Sequence, residues 1–298
     1  MAAVTQDRPT RFGLVTGLTF VGALAVALVV RGSAVIGIAA LFLLFVPLEK
    51  VFALRPQKVF RRGLLTDLTH LLVNNLFSTA LGIAIVVAAL IPVFWLRNLS
   101  IVGYIPTVPA IALSAALVFV GNYWGHRLTH TVPFLWRFHA VHHSIETMDW
   151  VAAGRLHPFD QAFTQAFTVM PLVILGYGGG TFAGVAVFVT LLAIFQHANV
   201  RLRFPGLRWV INTPEWHHWH HAIDPEAKDK NFGLPIVDRI FGTAYLPKGK
   251  RPRGFGIPDP VPQVGYLRHL AYPFTTSARG GRPSAAMNNR CPVKSALK

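Results

Sequence analysis

The sequence predicts an all-α, membrane-embedded helical bundle. Three observations carry this: 298 residues that are 53% apolar and only 13% charged, several apolar runs of helix length, and no apolar–polar alternation sustained enough to build a sheet. The positive mean hydropathy agrees. Nothing in the middle of the chain reads as a linker, a fixed-period repeat or a phosphate-cradling glycine loop.

The elements follow in order. Residues 12–30 and 34–48 are apolar runs separated only by Arg31, Gly32 and Ser33, so they are expected to form a helical hairpin. Arg8 and Arg11 precede the first run as in a signal peptide, but its length and the second run behind it favour an uncleaved span. The stretch from Glu49 to Arg62 carries Lys50, Arg55, Lys58, Arg61 and Arg62, which the positive-inside rule puts in the cytoplasm. A third span is expected within 67–96, ending in the interfacial pair Phe94 and Trp95, and the next loop, with Arg97 as its one basic residue, fits the outer side. Pro109 can open a helix over about 110–130 that starts apolar, IALSAALVFVG, and ends polar and aromatic, NYWGHRLTH. Two further runs, 162–177 and 181–196, are split by Gly178, Gly179 and Gly180 and read as a short helical hairpin returning to the side it left. The organisation expected is N-terminal spans over 1–109, a catalytic region with a histidine-rich cytoplasmic cap over 110–250, and a basic, largely disordered tail over 251–298. That makes about four spans plus the glycine-split hairpin.

The formal net charge of +16 would suit nucleic acid, but the basic residues flank apolar stretches or lie in the tail, and no zinc-finger or RNA-binding signature accompanies them. Anionic lipid headgroups are the expected counter-charge. A single cysteine, Cys291, excludes an internal disulfide and any cysteine-based metal cluster.

Eleven of the 13 histidines fall between 126 and 221. In HRLTH, His126 and His130 are four residues apart, about 40° around a helix, so both rings leave one face. HAVHH contributes His139, His142 and His143, and HHWHH repeats the spacing with His217, His220 and His221. Positions i, i+3 and i+4 span about 100°, so each triplet can present three ring nitrogens to one point or to two neighbouring ones. Neutral imidazole binds iron, zinc or copper, and eight of them exceed what one ion of four to six ligands can use, so two metal ions are expected. Unligated, so many desolvated imidazoles would be costly. His218 points off the triplet's face and is expected at the surface. His70 shares a turn with Asp67 and reads as half of a polar interfacial pair, while His269, beside Arg268, carries no signal.

With HxxxH, HxxHH and a second HxxHH in this order, residues 110–250 resemble the fatty acid hydroxylase and sterol desaturase superfamily. The flanks NTPEWHHWHH, from Asn212 to His221, and NFGLPIVDRIFGTAYLP, from Asn231 to Pro247, strengthen the resemblance. It implies two irons at the cytoplasmic face of the bundle, activating oxygen to take hydrogen from an unactivated carbon of a lipid, with hydroxylation and desaturation diverging afterwards. Sterols, fatty acyl chains, carotenoids, alkylglycerols and aldehydes are all substrates in such families. Members usually supply further histidines between the second and third boxes, which here implies His197 in QHANVR as a ninth ligand. Where some members carry one more, this chain has Arg201. His157 and Asp160 are expected beside the ligands, and Asp160 or Asp149 could orient a ligand imidazole. Asn199 and Asp238 occupy family-like positions without a role that the residues disclose.

No flavin, nicotinamide or haem-attachment motif is present in the sequence, so electrons are expected from a separate reductase through a ferredoxin or small haem protein docking on the cytoplasmic side. Two other readings stay open. A metal transport or storage protein would distribute ionisable groups along its spans, and these contain few. A zinc-dependent membrane hydrolase would need fewer imidazoles, and HExxH is absent from the sequence.

Overall fold

The computed structural model describes residues 9–203 and 205–275. Cys291 lies outside them. Within them the chain is helical, with α1 (Pro9–Val51), α2 (Leu64–Leu90), α3 (Thr107–Thr131), α4 (Pro133–His143), α5 (Pro158–Leu175), α6 (Gly179–His197), α7 (Pro214–His220), α8 (Pro235–Ile240) and α9 (Tyr266–Ala271). Two isolated bridges, Ala53 with Val200 and Ala222 with Phe255, are the only strand-like pairings among the described residues.

The expected N-terminal hairpin is not formed. α1 is one helix of 43 residues, about 65 Å long, running straight through Arg31, Gly32 and Ser33. That triplet holds no proline, and one glycine costs a helix interior only about 1 kcal/mol. Continuing the backbone hydrogen bonds wins where no water could replace them. Leu14, Leu18, Val29, Ile36 and Leu43 stand exposed along the rod. Such a helix, apolar on most sides, is stable against lipid rather than water.

Among the described residues, three helical stretches are long and apolar enough to cross a membrane: Phe77–Tyr104, Thr107–Thr131 and Gly179–His197. The first of these is the end of α2 continued by 3₁₀ turns over Ile91–Leu99 and Ile101–Tyr104. α3 packs on α5, and α2 packs on both α5 and α1. The α3–α5 approach is close enough that a Cβ on Gly121 would run into the Phe167 carbonyl, and one on Gly125 would lie 3.0 Å from the Phe167 Cβ. Small residues are what permit a backbone approach of this kind within apolar bundles.

The other elements gather at one end as a cap. α4 follows α3 after Val132 alone, and α4, α5, α7 and α8 each begin on a proline, which has no N–H to leave unbonded in a first turn. Buried ion pairs bind the cap to α2. Asp67 accepts from Arg155 at 2.6 and 3.1 Å and from Arg61 at 2.8 Å, while Arg61 also grips Asp149 at 2.6 and 2.7 Å. Gly63, just before α2, has φ +88°, and a Cβ there would sit 3.1 Å from the Arg155 guanidinium. Glycine is needed both for the backbone and for the space.

The expected tail is folded as far as Thr275, with Tyr266, His269 and Tyr272 buried. His269, silent in the sequence, is the partner of His70: Nε2 of His70 and Nδ1 of His269 are 2.9 Å apart, and His269 Nε2 donates to the Pro262 carbonyl at 2.6 Å. His70 is therefore a fully buried staple for this segment rather than an interfacial residue. Its neighbour Asp67 turns instead to the two arginines.

Candidate metal centre

α3, α4, α6 and α7 bring their histidines to one place. Nine ring nitrogens sort into two groups, His126, His130, His139, His143 and His220 in the first and His142, His197, His217 and His221 in the second, with the ligand atoms of each group within 4.8 Å of one another. The two HxxHH triplets divide in opposite senses. His139 and His143, one turn apart, enter the first group while His142 enters the second; His217 and His221 enter the second while His220 enters the first. An i, i+4 pair stays on one stripe and i+3 falls to the other side of it, so each triplet reaches both groups.

The outward ring nitrogens set the tautomers. Nδ1 donates to a backbone carbonyl in His126 (Phe232, 2.6 Å), His142 (Arg155, 3.1 Å), His197 (Ala193, 2.6 Å) and His220 (Lys230, 2.8 Å). His139 Nδ1 lies 3.0 and 3.1 Å from the two oxygens of buried Asp160. With the proton held outside, each of these rings turns an Nε2 lone pair inward. The inner atoms are then crowded: His126 and His139 Nε2 are 3.1 Å apart, His143 and His220 3.0 Å, His142 and His197 3.3 Å, and His197 and His217 3.1 Å. In the pairs His126–His139 and His142–His197, where both outward protons are held, lone pair faces lone pair, which is repulsive unless a cation lies between them. Burial and the neighbouring imidazoles hold His142, His143 and His221 well below the usual histidine range, as they do His217 and His220. The neutral form favoured by burial is the one that binds metal. The donor set therefore fits two metal ions.

Asp160 stands beside His139, 3.0 Å from its Nδ1. His157 does not face the cluster: its Nδ1 accepts from Phe159 N at 3.1 Å, capping α5, and its Nε2 reaches the Leu270 carbonyl at 3.3 Å. Asp149 caps the turn over Trp150–Gly154 through Ala152 N and pairs with Arg61, so it orients no imidazole. His218 is 1% exposed, not a surface residue, because the segment carrying Phe255 covers the outer face of α7; burial pushes it down to about 3. Arg201 is exposed and its backbone N pairs with the Phe52 carbonyl, so it adds nothing to the cluster.

Several residues shape the site in ways the sequence did not disclose. Gln196 places its amide nitrogen 3.4 Å from His217 Nε2, in the group with only four histidines. Asp238 receives Phe232 N at 2.8 Å, Gly233 N at 2.9 Å and the Thr243 hydroxyl at 2.7 Å, and so fixes the turn whose Phe232 carbonyl holds His126. Asn199 binds the Arg55 backbone on both sides, N–H and carbonyl, next to His197.

Residues 111–243, which contain all nine histidines, match the model of the fatty acid hydroxylase family. This region of the chain is similar to that family. Curated relatives agree: an ornithine lipid hydroxylase of Rhizobium tropici is 33% identical over 57% of this chain and 51% of its own length. An alkylglycerol monooxygenase of Danio rerio is 32% identical over 53% of this chain and 35% of its own. A very-long-chain aldehyde decarbonylase of Oryza sativa subsp. indica is 32% identical over 50% and 26%. The chain thus spans about half or less of the length of these relatives. No solved structure matches it.

Replacing Asp160 by Asn keeps the shape but weakens the acceptor for His139 Nδ1–H. A roughly 10–100-fold loss of metal affinity is expected, as for other carboxylates behind a ligand histidine. Competition against a graded series of chelators measures it, and unchanged metal retention would show that Asp160 plays no part in presenting His139.

Proposed function

We propose that this chain is a membrane-embedded, oxygen-dependent lipid hydroxylase whose nine histidines hold two iron ions. The observation that carries the reading is the pair of convergent imidazole groups with their protons held outward by Phe232, Arg155, Ala193, Lys230 and Asp160. Iron bound there would supply the chemistry the family is named for, activation of oxygen and its insertion into an unactivated C–H bond. Hydroxylation is preferred to desaturation because the relatives are named as hydroxylase and monooxygenase. An ornithine lipid and an alkylglycerol both join a polar headgroup to a long apolar chain, and a substrate of that build suits a site at the end of lipid-facing helices.

The chain's own residues do three things in this reading. Imidazole ligands bring no negative charge of their own, so they would leave most of the metals' charge uncompensated and favour the acceptance of electrons. Trp136 and Phe232, packed against His130, wall the first group and keep water from it. The basic residues from Lys50 to Arg62 support a cytoplasmic cap by the positive-inside rule, and electrons would come from a ferredoxin or small haem protein served by a separate reductase on that side.

The test uses protein purified from cells grown with iron, supplied with reductant, membrane lipid extract and ¹⁸O₂. One labelled oxygen atom in a lipid product is expected, with about two irons per chain. A product whose added oxygen is unlabelled and so drawn from water, or zinc in place of iron in active protein, would replace this reading by a hydrolase.

A further inference from the structure

The mouth of a cavity away from the histidines collects cations that form no ion pair among the described residues. It has a volume of about 360 Å³ and lies between the end of α1, the basic loop and the turn at Trp150. Cavities of this size hold small ligands or lipid headgroups. One wall is apolar, formed by Phe42, Val46, Leu64 and Trp150; the other carries Lys50, Arg55 and Lys58. Phe42 and Val46 lie in the last turns of α1 before its apolar run ends at Leu48, with Lys50 one turn beyond Val46, so the apolar and basic lining straddles the level where hydrocarbon gives way to headgroups. Phe60 on the same loop is 82% exposed, as an apolar side chain facing lipid rather than water would be.

The charges do not balance within the protein. Asp149, a lining carboxylate, is taken by Arg61 at 2.6 and 2.7 Å. Glu49, the other, gives Oε1 to the backbone N–H groups of Trp150 and Asn199, both at 2.8 Å. Asp224, the nearest acidic influence on Arg55, is engaged by Arg253 at 2.7 Å. Arg55 donates to the Pro252 carbonyl at 2.6 Å and Lys50 to the Gln57 carbonyl at 2.8 Å, which fixes where both cations sit without cancelling them. Lys58 forms no ion pair among the described residues.

We propose that this cavity binds the phosphate-bearing headgroup of an anionic membrane lipid, with Lys50, Arg55 and Lys58 on the phosphate and the start of an acyl chain along Phe42 and Val46. Basic pockets between helices at the cytoplasmic membrane face recognise lipids of this class. A free phosphate ester could satisfy the cations, but it would leave the apolar wall in water. Glu49 ties the cavity to segments that flank the metal ligands without touching them. Its two backbone contacts join α1 to Trp150, in the segment after the second histidine box, and to Asn199, two residues beyond His197. A lipid drawing α1 onto the cap steadies both segments.

The test is native mass spectrometry of the full-length protein titrated with phosphatidylglycerol or phosphatidylcholine. Selective retention of phosphatidylglycerol is expected, about 30-fold weaker in Lys50→Ala/Lys58→Ala. Val46→Trp fills the apolar wall and leaves every charge in place, so it should also expel the lipid. Equal retention of the two lipids, or a Val46→Trp variant that still selects phosphatidylglycerol, overturns the proposal by reducing it to diffuse attraction. Displacement by glycerol 3-phosphate at the lipid's own concentration would overturn the lipid assignment in favour of a soluble phosphate ester. Metal per chain, read in the same samples, stays unchanged in folded variants and separates this inference from the hydroxylase reading.

Discussion

Protein carrying His142→Ala together with His220→Ala is expected to be purified folded, without metal in either group and without lipid oxidation. The two residues are the odd members of their triplets, His142 alone crossing into the second group and His220 alone into the first. Their loss leaves three and four histidines. It also removes the contacts at 3.3 Å to His197 and 3.0 Å to His143 through which the inner atoms converge. Deleting a ligand must cost more than deleting its outer partner, so the fall in affinity should exceed the about 10–100-fold expected for Asp160→Asn. Elemental analysis of folded protein, compared with His218→Gln on the same helix, decides it. His218 faces Phe255 rather than the cluster, so that variant should keep its metal. Retention of iron and activity in the double variant would end the metal-centre reading.

Asp67→Ala should destabilise the fold more than any surface substitution, by about 3–5 kcal/mol, because it strands a buried guanidinium. Asp67 and Arg155 are 0% and 3% exposed at their side chains. Without the carboxylate Arg61 keeps Asp149, but Arg155 retains only Ser144 Oγ at 3.5 Å and Gln263 Oε1 at 3.3 Å, neither of them charged. The same backbone carries the Arg155 carbonyl that accepts His142 Nδ1–H, so metal affinity should fall along with thermal stability in detergent. Adding Arg155→Met to Asp67→Ala removes the stranded charge and should recover part of the loss. A double variant as unstable as the two single losses summed would mean that the pair contributes nothing as a pair.

Sequence spacing already told that HxxxH and both HxxHH triplets each project from one helix face, and apolar run lengths told where the lipid-facing helices lie. Both are local properties: a helix of 3.6 residues per turn decides which side chains are neighbours before any tertiary contact forms. Even so, local reading erred at Arg31–Ser33, where polar residues looked like a turn and α1 continues, because sequence does not reveal what solvent will surround the backbone.

Tertiary structure alone decided how the histidines are shared out and what holds them. The division of each triplet between two groups depends on how α4 and α7 face one another. The acceptors for the outward nitrogens come from far along the chain, Phe232 for His126 and Lys230 for His220, and no spacing rule reaches across such a separation. The same distance hid the pairing of His70 with His269, the cover that Phe255 lays over His218, and the Leu270 carbonyl that holds His157 Nε2 away from the metals. The spacing of the sequence sets which side of a helix an imidazole leaves. Packing decides which carbonyl fixes its proton, and thereby whether its lone pair is free for a metal.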